Sequence, residues 1–478
     1  MIRKTEHEKL ERKSSMNNRY EWNNLLRLVT IFIGSIISAI LIYISFYIKF
    51  AGDIPMRNLS AFLDSFVWIM IGFIVINLLF GTYIFYNKSL SDIFYFTMLG
   101  QIVLSVYMMA LTYAGSWLTF PRSVILINLF VGTFGMFIWN ALIYKLYHRV
   151  RGVKKVMIVG PENRVLEAVK NFEMMNNERH KVTHVVLSNY YYHIHELLDD
   201  VDIVYLTGYI DEKERLKIYE YLMRRKKKLF LSTNFENLMM VNPNIMNFED
   251  ESIIEVSNFE IPAEKEIVKR LVDFVVALIM LTIASPIMLI TAIAIRLDSP
   301  GPIFYKQERI TKNHRSFNIL KFRSMSQTAE AESGPVLAKS NDSRVTKVGR
   351  FIRSTRIDEL PQLINVLKGD MSLVGPRPER PFFVNQFQKE NPYYALRHHV
   401  RSGITGYAQV YGKYTTDFNS KLNFDLLYIK NYSLSFDFKL LFQTIKILFD
   451  KVSARGLDEE QKKEISLDDF KHYIKIIG

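Results

Sequence analysis

Residues 353–379 read RSTRIDELPQLINVLKGDMSLVGPRPE, and this stretch joins an acidic pair, a short apolar pattern and a proline-rich turn. Its apolar residues recur at the spacing of one helical face, which predicts a short helix. The residues on that face are Leu360, Leu363, Ile364 and Leu367. Gly369 follows as a C-terminal stop. The acidic pair, Asp358 and Glu359, therefore lies where this helix begins.

Two roles are open for Asp358 at such a position. The residue would either cap the helix with its side chain or hold a carboxylate at the positive end of the helix dipole, close to a bound phosphate. Glu359 would share a divalent cation with a diphosphate, because Mg²⁺ favours carboxylates together with phosphate oxygens. A phosphate-facing carboxylate at Asp358 is compatible with a cation-binding carboxylate at Glu359.

A basic run precedes the acidic pair. Between Phe304 and Ile357 there are twelve Lys or Arg residues against four Asp or Glu. Cations around a carboxylate keep it ionised, and they hold phosphates in bidentate or point-charge contacts. They also screen the repulsion between an anionic nucleophile and an anionic phosphorus centre. A charge run is usually a solvated face, and for any single member that interpretation is the favoured one.

Upstream of the basic run the chain is strongly apolar. Each of four stretches is long enough to cross a ~30 Å hydrocarbon core. These stretches lie at about 25–48, 63–86, 93–114 and 123–145. Basic residues crowd before the first and after the fourth, so the positive-inside rule predicts that both ends of the bundle are cytoplasmic. Four buried helices of a soluble protein are the disfavoured alternative, since the stretches are long and consecutive.

The composition narrows the function further. A net charge of +13 predicts anionic partners such as lipid headgroups or phosphates. Nucleic acid would account for the charge but not for the apolar stretches or the acidic pair, so we expect no nucleic acid partner. The chain has no cysteine, which excludes disulfides, zinc–thiolate sites and a cysteine nucleophile.

Residues 153–256 alternate short apolar runs with polar helical patterns, which predicts a parallel α/β sheet. The predicted strands are Lys155–Val159, Val182–Leu187, Asp202–Leu206, Leu229–Leu231 and Ile253–Val256. The first strand ends in Gly160, but Pro161 follows and the next glycine is Gly208. Without a Gly-rich turn the backbone cannot closely approach a pyrophosphate. We therefore predict a Rossmann-like domain with no dinucleotide and a structural or regulatory role.

A fifth apolar stretch, Leu271–Leu297, contains Ser285 and Pro286 in its middle. Proline removes a backbone hydrogen bond and kinks a helix. A full crossing would also put the basic run and the acidic pair outside the cell. We therefore predict a re-entrant helix at about 268–297, whose backbone polarity is satisfied within the protein. A kinked true span stays open as the alternative.

The predicted fold class is a membrane α-helical four-span bundle, an α/β Rossmann-like domain and an α-rich catalytic domain with a re-entrant membrane helix. The predicted segments are a cytoplasmic N-terminal tail (1–24), four transmembrane helices (25–148), the degenerate Rossmann-like domain (149–263), the catalytic domain (264–453) and a charged, peripheral C-terminal tail (454–478).

Several motifs of the C-terminal half carry a family resemblance. The runs KFRSM (321–325), RSTRIDELPQ (353–362), LKGDMSLVGPRPE (367–379) and VRSGITGYAQ (400–409) resemble the bacterial sugar transferases of the monotopic phosphoglycosyl transferase superfamily. The resemblance extends over about residues 265–450. The four apolar stretches and the degenerate α/β domain resemble its large branch, which includes initiating enzymes of capsule and exopolysaccharide synthesis.

The resemblance implies transfer of a sugar-1-phosphate, usually of glucose or galactose, from a UDP-sugar to undecaprenyl phosphate. Asp358 would attack the β-phosphate, release UMP and carry a covalent sugar-phosphate, with Mg²⁺ held through Glu359. The residues implied to contact phosphates are Lys321, Arg323, Arg353, Arg377 and Arg401. Ser285 and Pro286 match the family's helix break.

The same resemblance implies a multi-pass protein of the bacterial inner membrane. Its catalytic domain would face the cytoplasm, in contact with membrane lipids, and two chains would pair as a homodimer. The family usually has proline where this chain has Ser402. That change is expected to loosen the loop, because it frees one φ angle.

Two rival functions have to be compared with this one. Membrane-anchored nucleotide-sugar dehydratases or epimerases need a Gly-rich NAD loop and a Tyr-x-x-x-Lys base, but residues 221–225 read YLMRR. A non-enzymatic membrane scaffold or polyprenyl-phosphate-binding regulator would require loss of the acidic pair or of the basic set. Both are present in this chain.

Overall fold

The computed structural model describes residues 28–80, 82–83, 90–174, 180–256, 258–325, 344–412, 416–449 and 466–478. The predicted N-terminal tail, residues 1–24, lies outside them. The chain forms two compact units. The first contains Met1–Tyr205, Tyr209–Leu229 and Lys471–Gly478, and the second contains Leu206–Gly208 and Phe230–Phe470. The units thus divide the chain near residue 230.

The first unit begins with four long apolar helices. They are α1 (Leu28–Phe50), α2 (Met56–Leu79), α3 (Leu90–Ala114) and α4 (Arg122–Arg151). Each is long and apolar enough to cross a membrane. Their outward faces expose large apolar side chains, such as Val67 and Phe134, while Ile69 and Leu104 are buried between helices. Within the described residues the four predicted apolar stretches are therefore helical, except that α2 begins at Met56, before the predicted residue 63, and ends at Leu79.

The same unit continues into a sheet with helices between its strands. The elements are β1 (Lys154–Val159), α5 (Glu162–Met174), β2 (His180–Val186), α6 (Tyr190–Leu197), β3 (Ile203–Leu206), α7 (Glu212–Arg224) and β4 (Lys228–Leu231). β1 and β2 pair in parallel, and the last four residues of β1 are buried. Such a continuous buried run is typical of a strand covered on both faces.

Two sequence predictions about this part of the chain are wrong. The predicted strand at Ile253–Val256 instead lies in an antiparallel hairpin of β5 (Asn244–Phe248) and β6 (Glu251–Glu255). A two-residue link, in which Glu249 has φ 51°, joins its strands and favours a hairpin.

The C-terminal tail is not merely peripheral. Its last residues form β11 (Lys475–Ile477), which pairs in parallel with β2. The resulting strand order is β11-β2-β1-β3-β4. Ile474 is buried beside the new strand, so apolar burial adds this short segment to the edge of the sheet despite its charged surroundings.

The second unit holds the remaining elements. They are α8 (Phe235–Met239), α9 (Ala263–Asp298), β7 (Phe304–Ile310), β8 (Ser316–Phe322), α10 (Lys347–Ser354), α11 (Gln362–Lys368), β9 (Ser372–Val374), α12 (Pro381–Glu390), β10 (Gly403–Thr405), α13 (Tyr407–Tyr411), α14 (Phe418–Lys430) and α15 (Leu434–Phe449). β7 and β8 form an antiparallel hairpin, and β9 pairs in parallel with β10. Buried side chains of α11, β9 and α14 share one apolar core.

Helix α9 contains both residues of the predicted helix break. It continues through Ser285 and Pro286. Proline lacks the N–H that would bond to the carbonyl of Thr282. The hydroxyl of Ser285 donates to that carbonyl instead, at 2.8 Å. The carbonyl that the proline leaves without its backbone partner is thus satisfied within the helix.

Both ends of α9 are fixed to the second unit. Near its N-terminus the ammonium of Lys269 binds the carboxylate of Asp437, and Asp273 accepts a hydrogen bond from Ser372 at 2.6 Å. These four side chains are buried. At its other end, Ile295 packs against Phe322 and Ile352 in a second apolar cluster.

Candidate functional site

The acidic pair lies in a tight turn between two helices. Ile357–Glu359 form a single 3₁₀ turn that precedes α11, and Arg356 enters this turn in the left-handed region with φ 56°. Neither this turn nor α11 begins with a side-chain capping hydrogen bond. The capping interpretation of Asp358 is therefore wrong. The predicted helix end is confirmed, because Gly369 caps α11 with φ 91°.

Glu359 is clamped between two cations. Its Oε1 accepts a hydrogen bond from Lys321 Nζ at 2.8 Å and lies 3.4 Å from Arg377 Nη2. Burial alone would raise the pKa of Glu359, but the charges of Lys321 and Arg377 outweigh it and hold that pKa at about 2. The carboxylate of Glu359 is thus ionised throughout the physiological range.

Asp358 has the opposite electrostatic character. Burial, followed by the neighbouring charge of Glu359, raises the pKa of Asp358 to about 6, while Lys321, Arg353 and Arg356 oppose the rise. Two adjacent carboxyl groups are therefore driven to different pKa values, a pattern that assigns distinct chemical roles to the two members of a pair. Asp358 is ionised at neutral pH but more basic than an ordinary aspartate.

Helix α10 holds Arg353 beside this pair. Arg353 Nε donates to Ser324 Oγ at 2.8 Å. A Cβ on Gly349 would lie 2.0 Å from the carbonyl oxygen of Ser324, so only glycine lets α10 approach so closely. Ser324 follows β8, the strand that carries Lys321. The contact thus fixes the spacing between Lys321 and Arg353.

Arg377 is positioned by two interlocked motifs. Gly375 N donates to Thr405 O at 2.8 Å, and Gly403 N donates to Pro376 O at 2.9 Å. A Cβ on Gly403 would lie 2.1 Å from Gly375 N. The Gly-Pro-Arg-Pro and Gly-Ile-Thr-Gly runs of the sequence are therefore two halves of one backbone arrangement.

Arg397 supports the same loop from behind. Its Nη2 donates to the carbonyl of Arg377 at 2.8 Å, and the guanidinium forms a buried ion pair with Asp425. Sequence reasoning missed both Arg397 and Arg356 as parts of the site. Arg356 carried the signal of its place in the basic run, whereas nothing local in the sequence distinguished Arg397.

Two of the residues expected to contact phosphate have other partners. Arg323 is buried, and it donates to Ser299 O at 2.7 Å and to Pro300 O at 2.6 Å, at the end of α9. Arg401 binds Glu266 at 2.6 Å and lies 3.3 Å from the carbonyl of Gly369. Gly369 ends α11, a helix about 10 Å long, and the acidic pair precedes its other end. The structure thus brings Lys321, Arg353 and Arg377 to the pair, but not Arg323 or Arg401.

Ser402 is rigidly held, contrary to the expectation of a loosened loop. Its side chain is buried, its N–H donates to Thr311 Oγ1 at 3.2 Å, and its hydroxyl donates to Ile310 O at 3.0 Å. Proline would offer neither donor. The residue that departs from the family pattern therefore makes hydrogen bonds that replace the rigidity of proline.

The acidic pair fits one mode of magnesium binding. Within the described parts of the chain, no three His, Cys, Asp or Glu residues are grouped so that they could hold a metal ion. Mg²⁺, however, is commonly bound by one or two carboxylates together with substrate phosphates. An ionised Glu359 beside Asp358 meets that requirement.

Comparison with known proteins gives the site a family. The sequence profile of the bacterial sugar transferase family matches residues 264–451. A UDP-glucose:undecaprenyl-phosphate glucose-1-phosphate transferase of Caulobacter vibrioides is 40% identical over 193 residues, which cover 39% of this chain and 71% of that protein. The chain therefore belongs to the bacterial sugar transferase family.

Other relatives act on different sugars by their names. A UDP-N-acetylgalactosamine-undecaprenyl-phosphate N-acetylgalactosaminephosphotransferase of Aeromonas hydrophila is 49% identical over 191 residues, 39% of this chain and 45% of that protein. An undecaprenyl-phosphate galactose phosphotransferase of Salmonella typhimurium is 32% identical over 273 residues, 53% of this chain and 56% of that protein. The chain thus matches less than half the length of the Aeromonas protein, and little more than half of the Salmonella protein.

Proposed function

We propose that this protein is a phosphoglycosyl transferase that moves a hexose-1-phosphate from a UDP-sugar to undecaprenyl phosphate, as the first membrane step of capsule or exopolysaccharide biosynthesis. One observation carries the proposal. A half-buried pair of carboxyl groups, with pKa values of about 6 and about 2, lies among Lys321, Arg353 and Arg377. This arrangement lies within the segment that matches the sugar transferase family.

In the first step a carboxylate oxygen of Asp358 attacks the β-phosphorus of the UDP-sugar. The bond between that phosphorus and the bridging oxygen breaks, and UMP leaves with the bond's electron pair. The product is a sugar-phosphate joined to Asp358 as an acyl phosphate. Covalent carboxylate catalysis of this kind divides one difficult displacement into two easier ones.

In the second step a phosphate oxygen of undecaprenyl phosphate attacks the same phosphorus. The bond to Asp358 breaks, the carboxylate is regenerated, and undecaprenyl-diphospho-sugar leaves. Lys321, Arg353 and Arg377 screen the approach of each anionic nucleophile and stabilise the charge on the transferring phosphoryl group. Arg323 and Arg401 would contribute through the loops that they hold rather than by direct phosphate contact.

Mg²⁺ is part of this proposal. Glu359, with its pKa held near 2 by Lys321 and Arg377, would hold the ion together with phosphate oxygens. When bound, the ion would neutralise charge on the diphosphate. Asp358 would be left free to act as the nucleophile.

We also propose the membrane arrangement. α1 to α4 form a four-span bundle, the sheet is a Rossmann-like domain without a dinucleotide, and α9 is re-entrant. A straight crossing of a ~30 Å hydrocarbon core would separate the ends of α9. Lys269 near one end and Ser299 after the other are instead bonded to the same compact unit. The catalytic part then faces the cytoplasm of the inner membrane, where soluble UDP-sugars and undecaprenyl phosphate meet. Homodimerisation remains a prediction.

The test is UMP release by the detergent-solubilised chain with Mg²⁺ and undecaprenyl phosphate. UDP-glucose, UDP-galactose and UDP-N-acetylgalactosamine are the donors to compare, because the relatives' names divide among these sugars. We expect release with at least one donor. Folded protein that releases no UMP from any of them would contradict the transferase and favour the scaffold or regulator.

Three variants define the roles. Asp358→Asn should lower UMP release by at least about 10³-fold, because an amide is not a competent nucleophile. Glu359→Gln should lower it by roughly 10²-fold or more and weaken the dependence on Mg²⁺. Glu390→Gln, the same carboxyl-to-amide change on the exposed face of α12, should leave the rate unchanged. Radiolabelled sugar-phosphate bound to the wild type but absent from Asp358→Asn would identify the covalent intermediate.

A further inference from the structure

The amino-terminal ends of the sheet strands gather along one edge of the first unit. β1 and β2 run parallel. The backbone N–H of Lys155 donates to the carboxylate of Asp202, at 3.0 Å, which brings the beginning of β3 beside that of β1. The ammonium of Lys227 donates to the carbonyl of Val201, which adds the beginning of β4. The amino ends of all four strands therefore lie at the same edge.

This edge is basic. Its cationic residues are Lys154, Lys155, Lys181, Arg224, Arg225, Lys226, Lys227 and Lys228. Its acidic residues are Glu173, Asp199, Asp200, Asp202 and Glu220. Asp202 is paired with Lys154 at 3.0 Å and Glu220 with Arg224 at 2.6 Å. Cations still outnumber acids, and Arg225 and Lys226 are exposed. We call this set of cations the basic edge.

The chain tethers the basic edge close to the end of α4. The apolar span of α4 extends to Tyr147, and the helix itself ends at Arg151. Gly152 then leaves the helix with φ 61°, and β1 begins at Lys154. Four helical residues add about 6 Å, and the three steps to Lys154 add at most about 10 Å. Lys154 is therefore no more than about 16 Å along the chain from the end of the apolar span.

That distance is short on the scale of membrane electrostatics. The headgroup layer extends about 5–7 Å beyond the hydrocarbon core. The part of the tether that extends beyond the headgroup layer is comparable in length to the Debye length of about 8 Å at physiological ionic strength. Basic residues held there are attracted to anionic lipids. The tether also keeps lipid phosphates at a high effective concentration, which no freely diffusing acidic partner matches.

We propose that the basic edge binds the phosphates of anionic phospholipid headgroups in the membrane that α4 crosses, and so holds the sheet domain against the bilayer. The proposal rests on the membrane arrangement proposed above and adds a lipid contact outside the catalytic part. Met223, exposed to 71% beside Arg224, provides an apolar side chain at the same place.

The absence of cysteine makes a clean test possible. The full-length chain carrying Met223→Cys is spin-labelled and placed in nanodiscs that contain a nickel-chelating headgroup lipid. The expected result is strong relaxation of the label by nickel in discs of phosphatidylglycerol and phosphatidylcholine. The effect should fall at least about threefold in phosphatidylcholine alone or at high salt. Tyr209→Cys, 81% exposed after the other end of β3, is the matched site and should show little relaxation in either lipid.

A charge variant separates lipid binding from mere proximity. Changing Arg224, Arg225 and Lys226 to Gln together in the Met223→Cys chain should lower relaxation in the anionic discs to the phosphatidylcholine level. The proposal would be overturned if relaxation at residue 223 were the same in anionic and neutral discs. It would also be overturned if that relaxation did not exceed the relaxation at residue 209.

A label at one more position distinguishes failure of the lipid contact from failure of the proposed membrane arrangement. Phe134→Cys lies on the exposed face of α4, and its label should respond to a paramagnetic group on the acyl chains. A response there without one at residue 223 would overturn only the lipid contact. No response at residue 134 would overturn both the crossing of α4 and the lipid contact that depends on it.

Discussion

The difference between Asp358 and Glu359 has a consequence for the pH dependence of the reaction. The pKa of Asp358, raised by burial and by Glu359, is about 6. Below that pH the carboxyl group is protonated and loses its nucleophilicity, and above it the group is ionised. We expect kcat/KM for UMP release to be constant near neutral pH and to fall about tenfold per pH unit below about 6. An acidic limb near pH 4 would contradict the raised pKa.

The cations near Asp358 provide a matched test of this limb. Arg356 lowers the pKa of Asp358, in opposition to burial. Arg356→Gln should therefore raise that pKa further and move the acidic limb to higher pH. Arg350→Gln also removes one positive charge from this region, but Arg350 is exposed on α10 and is not among the main causes of the Asp358 pKa shift. Arg350→Gln should leave the acidic limb at the same pH. If both variants moved the limb equally, the pKa of Asp358 would depend on the net charge of the region and not on the proximity of Arg356.

Ser402 allows the role of its hydrogen bonds to be measured. Ser402→Ala loses the bond from the hydroxyl to Ile310 O, and Ser402→Pro also loses the N–H bond to Thr311 Oγ1. Each lost bond in this buried place should cost about 1–3 kcal/mol. We expect the unfolding temperature, measured by differential scanning fluorimetry, to fall in the order wild type, Ala, Pro. A Pro variant as stable as the wild type would restore the expectation taken from the family pattern.

Individual side chains also mark the limit of what the sequence predicted. Lys321, Arg353 and Arg377 lie at the acidic pair as expected. Arg323 and Arg401 carry the same charge in equally distinctive motifs, but each guanidinium is held by a partner that only the fold brings near. For Arg401 that partner is Glu266, which lies 135 residues away in sequence. Charge and motif thus predicted the composition of the site, whereas tertiary contacts determined where each guanidinium points.

At the scale of elements, predictions succeeded where the information was local. The helix after the acidic pair and its end at Gly369 follow from residues three and four apart and from one glycine. The hairpin at Ile253 and the strand at Lys475 were missed because each depends on a pairing partner rather than on its own pattern. For β11 that partner is β2, near the middle of the chain.

The close approach of α10 to the segment after β8 can be tested through Gly349. A Cβ there would overlap the carbonyl oxygen of Ser324, so Gly349→Ala must move α10 or the segment that follows Lys321. We expect a loss of about 1–3 kcal/mol or more in stability and a fall in UMP release greater than the loss of folded protein. Gly100→Ala, where the added Cβ would lie 3.9 Å from Phe80 Cδ2, is the matched change and should affect neither measurement.

At the scale of the whole molecule, the arrangement of α9 is the prediction with the widest consequences. If α9 is re-entrant, cysteines introduced at Glu264 and at Leu297 should both react with a membrane-impermeant reagent only from the cytoplasmic side. Leu118→Cys, between α3 and α4, should react only from the opposite side. Leu297 is 82% exposed and Leu118 is 73% exposed, so neither site is protected by packing. Labelling of residues 264 and 297 from different sides would establish a true span.

The buried charges of α9 impose an order on biogenesis. Lys269 leaves the ribosome 168 residues before its partner Asp437, and Asp273 is made 99 residues before Ser372. At about 5–20 residues per second, the carboxylate of Asp437 is made roughly 8 to 34 s after Lys269. During that interval Lys269 and Asp273, whose ammonium and carboxylate lie 3.6 Å apart on the same helix, can neutralise only each other. The N-terminal end of α9 therefore reaches its final buried contacts only after most of the second unit has been synthesised.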